Sequence, residues 1–183
     1  MKQLTALALS IAILGAIWAF LALGPLSGCV LVWAGFIAWG CYFHSGADGK
    51  ALNRTIAGTC YGAFVGWIVL LLVVNTSMPA LGVAWPAILV GVTVFFLVIV
   101  ASIDLLSVVP ANVYGYAAIV AYSLHQPSAD PGVGPLKNLT SGSFANPLIL
   151  LVVSLVLGAI FGMLSGKLAG ALTRKSPSTA AIA

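Results

Sequence analysis

Long apolar runs, each closed by a short cluster of polar or helix-breaking residues, set the pattern of this chain. Six such runs lie at residues 5–23, 27–43, 55–74, 80–102, 110–124 and 147–172. Each is long enough, or nearly so, to cross a bilayer, because a spanning helix needs roughly 20 mostly apolar residues at about 1.5 Å rise apiece. The breaks between them are Gly24-Pro25, the polar run 45–54, and residues 75–79, 103–109 and 126–146. The fifth run is the shortest. The pattern predicts an all-α polytopic membrane protein with six transmembrane helices, one integral domain over residues 1–183, and a polar C-terminal tail at 173–183.

Composition agrees. Seven Lys or Arg and three acidic side chains among 183 residues leave too little charge to cover a water-soluble domain. The basic residues also orient the chain, since Lys and Arg near membrane ends stay on the cytoplasmic side. Lys2 precedes the first run, Lys50 and Arg54 separate the second from the third, and Lys167, Arg174 and Lys175 close the sixth. With six spans these share one face, and only Lys137 lies opposite, in the long loop with Asp130. Both termini are therefore expected in the cytoplasm, with the chain in a bacterial inner (plasma) membrane and the bilayer as its first partner. The net charge of +4 reflects this topology. The basic residues form no clustered stripe, so nucleic acid is not expected as a partner.

Leu26-Ser27-Gly28-Cys29, behind Lys2 and an apolar run, imitates the end of a lipoprotein signal peptide. A secretory apolar core is about 7 to 15 residues, shorter than this one, and the residues after Cys29 form another apolar segment. The first run is therefore taken as a retained span. Cys29, Cys41 and Cys60 are odd in number and in apolar surroundings, which suits small packing residues and implies no disulfide framework.

The second half of the chain repeats the first. Trp33-Ala34-Gly35-Phe36-Ile37-Ala38-Trp39-Gly40-Cys41 aligns with Pro110-Ala111-Asn112-Val113-Tyr114-Gly115-Tyr116-Ala117-Ala118. Gly62-Ala63-Phe64-Val65-Gly66 aligns with Gly158-Ala159-Ile160-Phe161-Gly162, and Gly15 and Phe20-Leu21 align with Gly91 and Phe96-Leu97. The register shift is 76 residues for Phe20-Leu21, 77 for the second-to-fifth match and 96 for the third-to-sixth. The extra length therefore sits in the 126–146 loop. Three spans are an odd number, so a repeat A over about 5–74 and a repeat B over about 80–172 must face opposite ways. Such inverted 3+3 repeats are used by many transporters, with the substrate site between the halves.

Glycines recur every four residues at Gly58, Gly62 and Gly66, and again at Gly158, Gly162, Gly166 and Gly170. Residues four apart share a helix face, and a face without side chains lets another backbone approach. These stripes are expected to pack helices near the pseudo-symmetry axis or to build the interface of a homo-oligomer.

No enzyme is expected: the chain lacks His-Glu-x-x-His, a phosphate-cradling Gly-x-x-x-x-Gly-Lys and a Gly-x-Ser-x-Gly elbow, and implies no metal and no cofactor. His44 and His125 read as interfacial residues. Charge deep in a bilayer costs about 2.5 to 3.5 kcal/mol and signals function, yet none of the ten charges is deep. Asp104 comes closest, where Arg54 or Lys50 is in range to pair with it. An interior free of charge suits a conduit for a small uncharged or weakly anionic solute. Its candidate lining is Pro110 and Asn112 at a helix start, with Phe36, Trp39, Tyr114 and Tyr116 as a matched aromatic constriction. The competing reading places the aromatics in an interfacial belt and Asn112 as a helix cap.

Trp33-Ala34-Gly35-Phe36, Cys41-Tyr42-Phe43, Val109-Pro110 and the Gly115 segment together resemble the bacterial inner-membrane proteins grouped as domain of unknown function 1097, the YcdZ-like family, over roughly residues 13–166. The resemblance implies a small polytopic inner-membrane protein with no assigned substrate. His44, where a small residue is expected, and the long 126–146 loop depart from it. The leading expectation is a channel or transporter. Its alternative is a non-transporting subunit or scaffold that packs through the glycine-striped helices.

Overall fold

The computed structural model describes residues 2–125 and 134–173. Residues 126–133, with Asp130, and 174–183 of the tail, with Arg174 and Lys175, lie outside the described residues. The described residues form six α-helices: α1 Gln3–Leu23, α2 Val32–His44, α3 Gly49–Asn75, α4 Ala84–Ile99, α5 Val109–Leu124 and α6 Pro147–Leu172. Short 3-10 turns occupy Val100–Ser102, Asp104–Leu106 and Gly134–Asn138. Among the described residues the only extended pairing is an isolated bridge between Ser27 and Val30, so the protein is all-α.

Four of these segments are long and apolar enough to cross a membrane: Gln3–Leu23, Gly49–Asn75, Ala84–Ser102 and Pro147–Leu172. The expected second and fifth spans form helices of 13 and 16 residues, about 20 and 24 Å long, short of an apolar core about 30 Å thick. The second run becomes helical only at Val32, because Gly24 to Leu31 is spent on turns in which Gly28 takes a left-handed φ of 81°. Helix starts follow local chemistry. Asp48 caps α3 by accepting the Ala51 amide at 2.7 Å, and Asn146 caps α6 by accepting the Leu148 amide at 2.9 Å, with Pro147 in the first turn where no amide hydrogen is needed.

The stripes of glycine decide which helices touch. α3 lies most extensively against α5, and α2 against α6. A Cβ at Gly58 would stand 2.7 Å from Ala111 Cβ, one at Gly62 would overlap the Asn112 carbonyl, and one at Gly66 would stand 2.6 Å from Ile119 Cγ2. From the other side, a Cβ at Gly115 would overlap the Thr59 carbonyl. On α6, a Cβ at Gly158 would overlap the Gly35 backbone, and one at Gly162 would sit 3.2 Å from the Trp39 and Tyr42 rings. Gly58, Gly62 and Gly66 are thus covered by α5, and Gly158 and Gly162 by α2, while Gly166 and Gly170 stay open; α3 and α6 also touch each other. The reason is geometric: backbones this close leave room for no side chain between them.

Ala34, Ala38, Ala63, Ala118 and Ala159 join Ile119, Leu151 and Leu155 in the core of this four-helix centre. α1 packs on α6, with Trp18 inserted over Gly35 and the Ser10 hydroxyl donating to the Ser165 carbonyl. α4 is peripheral and buries Leu97 alone. Buried hydroxyls turn back on their own helices, Thr59 to the Thr55 carbonyl at 2.8 Å and Ser154 to the Leu150 carbonyl at 2.6 Å. Asp104 meets Arg54, at 2.5 Å, and not Lys50.

Candidate functional site

Both short helices begin where irregular backbone ends, and within a bilayer such backbone needs partners from the protein itself. The Leu31 amide, just before α2, donates to Ser154 Oγ at 2.9 Å, and the Trp18 indole donates to the Val32 carbonyl at 2.9 Å. Ahead of α5, the Asn112 side-chain amide donates to the carbonyls of Leu97 and Leu106, each at 3.0 Å. One side chain thereby ties the end of α4 and the 3-10 turn after it to α5.

Between α2 and α5 lies a groove of about 660 Å³, lined on one side by Trp33, Phe36, Ile37, Gly40, Cys41 and His44 and on the other by Tyr114, Ala117, Ala118 and Ala121. Helical phase explains this set. Positions 33, 37, 40 and 44 share one face of α2, as 114, 117, 118 and 121 do on α5. Gly40 and the alanines form a low floor, since a Cβ at Gly40 would meet open space. Aromatic rings stand above it, Trp33, Phe36 and Tyr114 being 40%, 41% and 40% exposed. No Asp, Glu, Lys or Arg of the described residues lines the groove. Its polar atoms are the His44 imidazole, the Tyr114 hydroxyl, the Trp33 indole and the Cys41 thiol, the last within 3.9 Å of Ser45 Oγ and 3.8 Å of Thr55 Oγ1. Such a surface accepts or donates hydrogen bonds but holds no fixed charge. Its size and mix of apolar walls with few polar groups are those of small-molecule sites.

The structure divides the residues expected to line a passage. Phe36 and Tyr114 face the groove. Trp39, one position before Gly40 and so about 100° round the helix, turns to α6, where its ring lies 6.0 Å from Phe161, while also stacking on Phe36 at 5.5 Å. Its indole nitrogen is buried without a partner. Tyr116 turns toward α4, its hydroxyl 3.3 Å from Thr93 Oγ1 and its ring packed with Leu97. Asn112 is wholly buried against α3 and the α4 end, and its Oδ1 has no hydrogen-bond partner. Pro110 opens α5, but the Ala111 and Asn112 amides of that first turn are taken by the Val108 carbonyl, so they are not offered to a solute. Sequence reasoning missed Trp33, Ile37, Gly40, Cys41, His44, Ala117, Ala118 and Ala121 as lining. For all but His44 and Ala121, which follow the aligned nonapeptides, the signal was present in those segments, read at a period of 3.6. Among the described residues no three His, Cys, Asp or Glu side chains gather as metal ligands.

Helices of this length and apolarity, around a groove free of charge, define a membrane-embedded all-α protein. The family model described as "Protein of unknown function (DUF1097)" matches residues 8–170, and the chain belongs to that family. No curated protein and no solved structure is similar enough to match it.

Proposed function

We propose that the chain crosses a bacterial inner membrane six times as two inverted three-helix halves, with both termini cytoplasmic, and passes a small uncharged or weakly anionic solute along the α2/α5 groove. The observation that carries this reading is the register of the groove. Ile37 and Tyr114, Gly40 and Ala117, Cys41 and Ala118, and His44 and Ala121 all line it, and each pair is separated by the same 77 residues as the aligned segments. A groove built from matched positions of two halves sits on the axis that relates them.

The helix contacts support the same symmetry. Gly62 meets Asn112 while Gly158 meets Gly35; Gly66 meets Tyr116 and Ile119 while Gly162 meets Trp39 and Tyr42. Each contact maps onto its counterpart by the shifts of 96 and 77, with the halves exchanging partners. Short apolar helices in corresponding positions of two repeats are where transporters place their sites, and α2 and α5 are the short pair. Arg54 beside Asp104 puts the start of α3 and the α4–α5 turn at one end of the molecule, as six spans require. The scaffold reading draws less support, because most of the glycines it relies on, Gly58, Gly62 and Gly66 on α3 and Gly158 and Gly162 on α6, are already covered by α5 and α2.

The reading involves no catalysis, metal or cofactor, and treats nucleic acid as no partner. Flux of a panel of small neutral and anionic solutes into proteoliposomes, beside protein-free vesicles, tests it. Accelerated entry of at least one neutral or weakly acidic solute is expected. Entry no faster than in protein-free vesicles across the panel would return the protein to the scaffold reading.

A further inference from the structure

A second cavity, independent of the α2/α5 groove, opens where α1 begins and α6 ends. It holds about 820 Å³ between α1, α6 and the turn from α2 to α3. Leu7, Phe43, Met163 and Ala169 make its walls apolar. Its floor is kept low by glycine: a Cβ at Gly170 meets open space, and one at Gly166 comes no nearer than 3.8 Å, to the Tyr42 hydroxyl.

The rim carries two opposite charges, Lys167 on α6 and Asp48 at the start of α3, beside the Gln3 amide of α1. Among the described residues Arg54 with Asp104 is the only ion pair. Lys167 and Asp48 therefore border the cleft with neither matched to a charged side chain there. Asp48 uses Oδ1 to cap α3, and a carboxylate has further lone pairs to offer a donor. Helix termini at this end of the bundle belong at the membrane surface, where apolar walls give way to headgroups.

A cleft that is apolar within and carries one cation and one anion at its mouth is complementary to a molecule built the same way. We propose that it binds a zwitterionic glycerophospholipid of the phosphoethanolamine type. Its phosphate lies on Lys167, its ammonium donates to Asp48, and its acyl chains run along Leu7 and Met163. A lipid with only a phosphate charge satisfies Lys167 but leaves Asp48 facing another anion. A choline head carries the cation without an N–H to donate.

The test is native mass spectrometry of the full chain released from vesicles of equal phosphatidylethanolamine and phosphatidylglycerol content, with thermal melting as the folding control. The parent should retain the ethanolamine lipid about fivefold more often, the ratio that roughly one partly exposed charge contact supplies. Asp48→Asn keeps the helix cap and should erase that preference while phosphatidylglycerol stays bound. Lys167→Gln should release both lipids. Gly170→Leu fills the floor of the cleft from a position with free space, and should exclude the ethanolamine lipid in a protein that melts normally. Equal retention of the two lipids by the parent, an unchanged preference in Asp48→Asn, or undiminished retention of the ethanolamine lipid by Gly170→Leu overturns the proposal. So does efficient displacement by soluble phosphoethanolamine, which would assign the cleft to a free phosphoamine. None of these outcomes depends on whether the α2/α5 groove conducts.

Discussion

Glycines that look alike in the sequence stand in very different surroundings, and substitution by alanine separates them. A methyl at Gly62 runs into the Asn112 carbonyl, a backbone atom that moves only if α3 and α5 part. Gly62→Ala should therefore lower stability by at least about 3 kcal/mol, the upper range for overpacking. At Gly162 the methyl meets the Trp39 and Tyr42 rings at 3.2 Å, which yield slightly, so about 1 kcal/mol is expected. At Gly170 there is nothing to meet, and Gly→Ala gains up to about 1 kcal/mol of helix propensity. Melting of the three variants in one mild detergent checks the order; Gly62→Ala as stable as the parent would mean that α3 and α5 do not meet backbone to backbone. Asn112 belongs to the same scale. Its amide holds the Leu97 and Leu106 carbonyls, so Asn112→Leu should destabilise the fold by about 2 kcal/mol. That Asn112 is a tie between helices and not a lining residue could not be read from its type, because the partners are carbonyls that no sequence pattern marks.

At the scale of elements, α1 is part of the packed structure. Trp18 covers Gly35 and donates to the Val32 carbonyl, and Ser10 reaches the Ser165 carbonyl. Removing residues 1–28 at the lipobox lookalike would uncover Gly35 and the start of α2. Intact-mass measurement of membrane-purified protein should therefore find those residues attached and Cys29 without lipid. A chain starting at a lipidated Cys29 would contradict the role of α1. The long helices were legible because hydropathy reads a continuous apolar run directly, and α6 matches its expected limits at both ends. α2 is shorter than its apolar run, because Ser27 to Leu31 reads as the start of that run while its backbone turns. Hydropathy measures the solvent a segment prefers and not the φ of Gly28. The aromatic quartet divides between two surroundings for a related reason. Alignment pairs Trp39 with Tyr116, but pairing two positions does not say which face they occupy, and both turn away from the groove that Phe36 and Tyr114 line.

For the whole molecule, the proposed two-half arrangement dictates which connections would share a side. The turn before α3, near Gly46, and the turn between α4 and α5, near Ile103, should lie on the cytoplasmic face with both termini. The α3–α4 connection, near Met78, and the Gly134–Asn138 turn should lie opposite. Single cysteines placed at the exposed positions Gly46, Ile103, Met78 and Lys137 in a cysteine-free parent should divide accordingly under a membrane-impermeant thiol reagent. Labelling of Gly46 and Met78 positions from the same side would remove the inverted repeat.

On the proposed reading, solute moves along the groove between α2 and α5. Gly40 lines that groove, and a Cβ there meets nothing within 4 Å, so Gly40→Trp starts its side chain into open space and should fill the passage. The decisive measurement is the rate of entry of a permeant neutral solute into proteoliposomes holding equal amounts of folded parent and Gly40→Trp protein. The proposed route predicts that the variant falls to at most about a tenth of the parent rate, the effect of roughly 1.4 kcal/mol on passage. Entry through Gly40→Trp as fast as through the parent would place the route elsewhere and contradict the account.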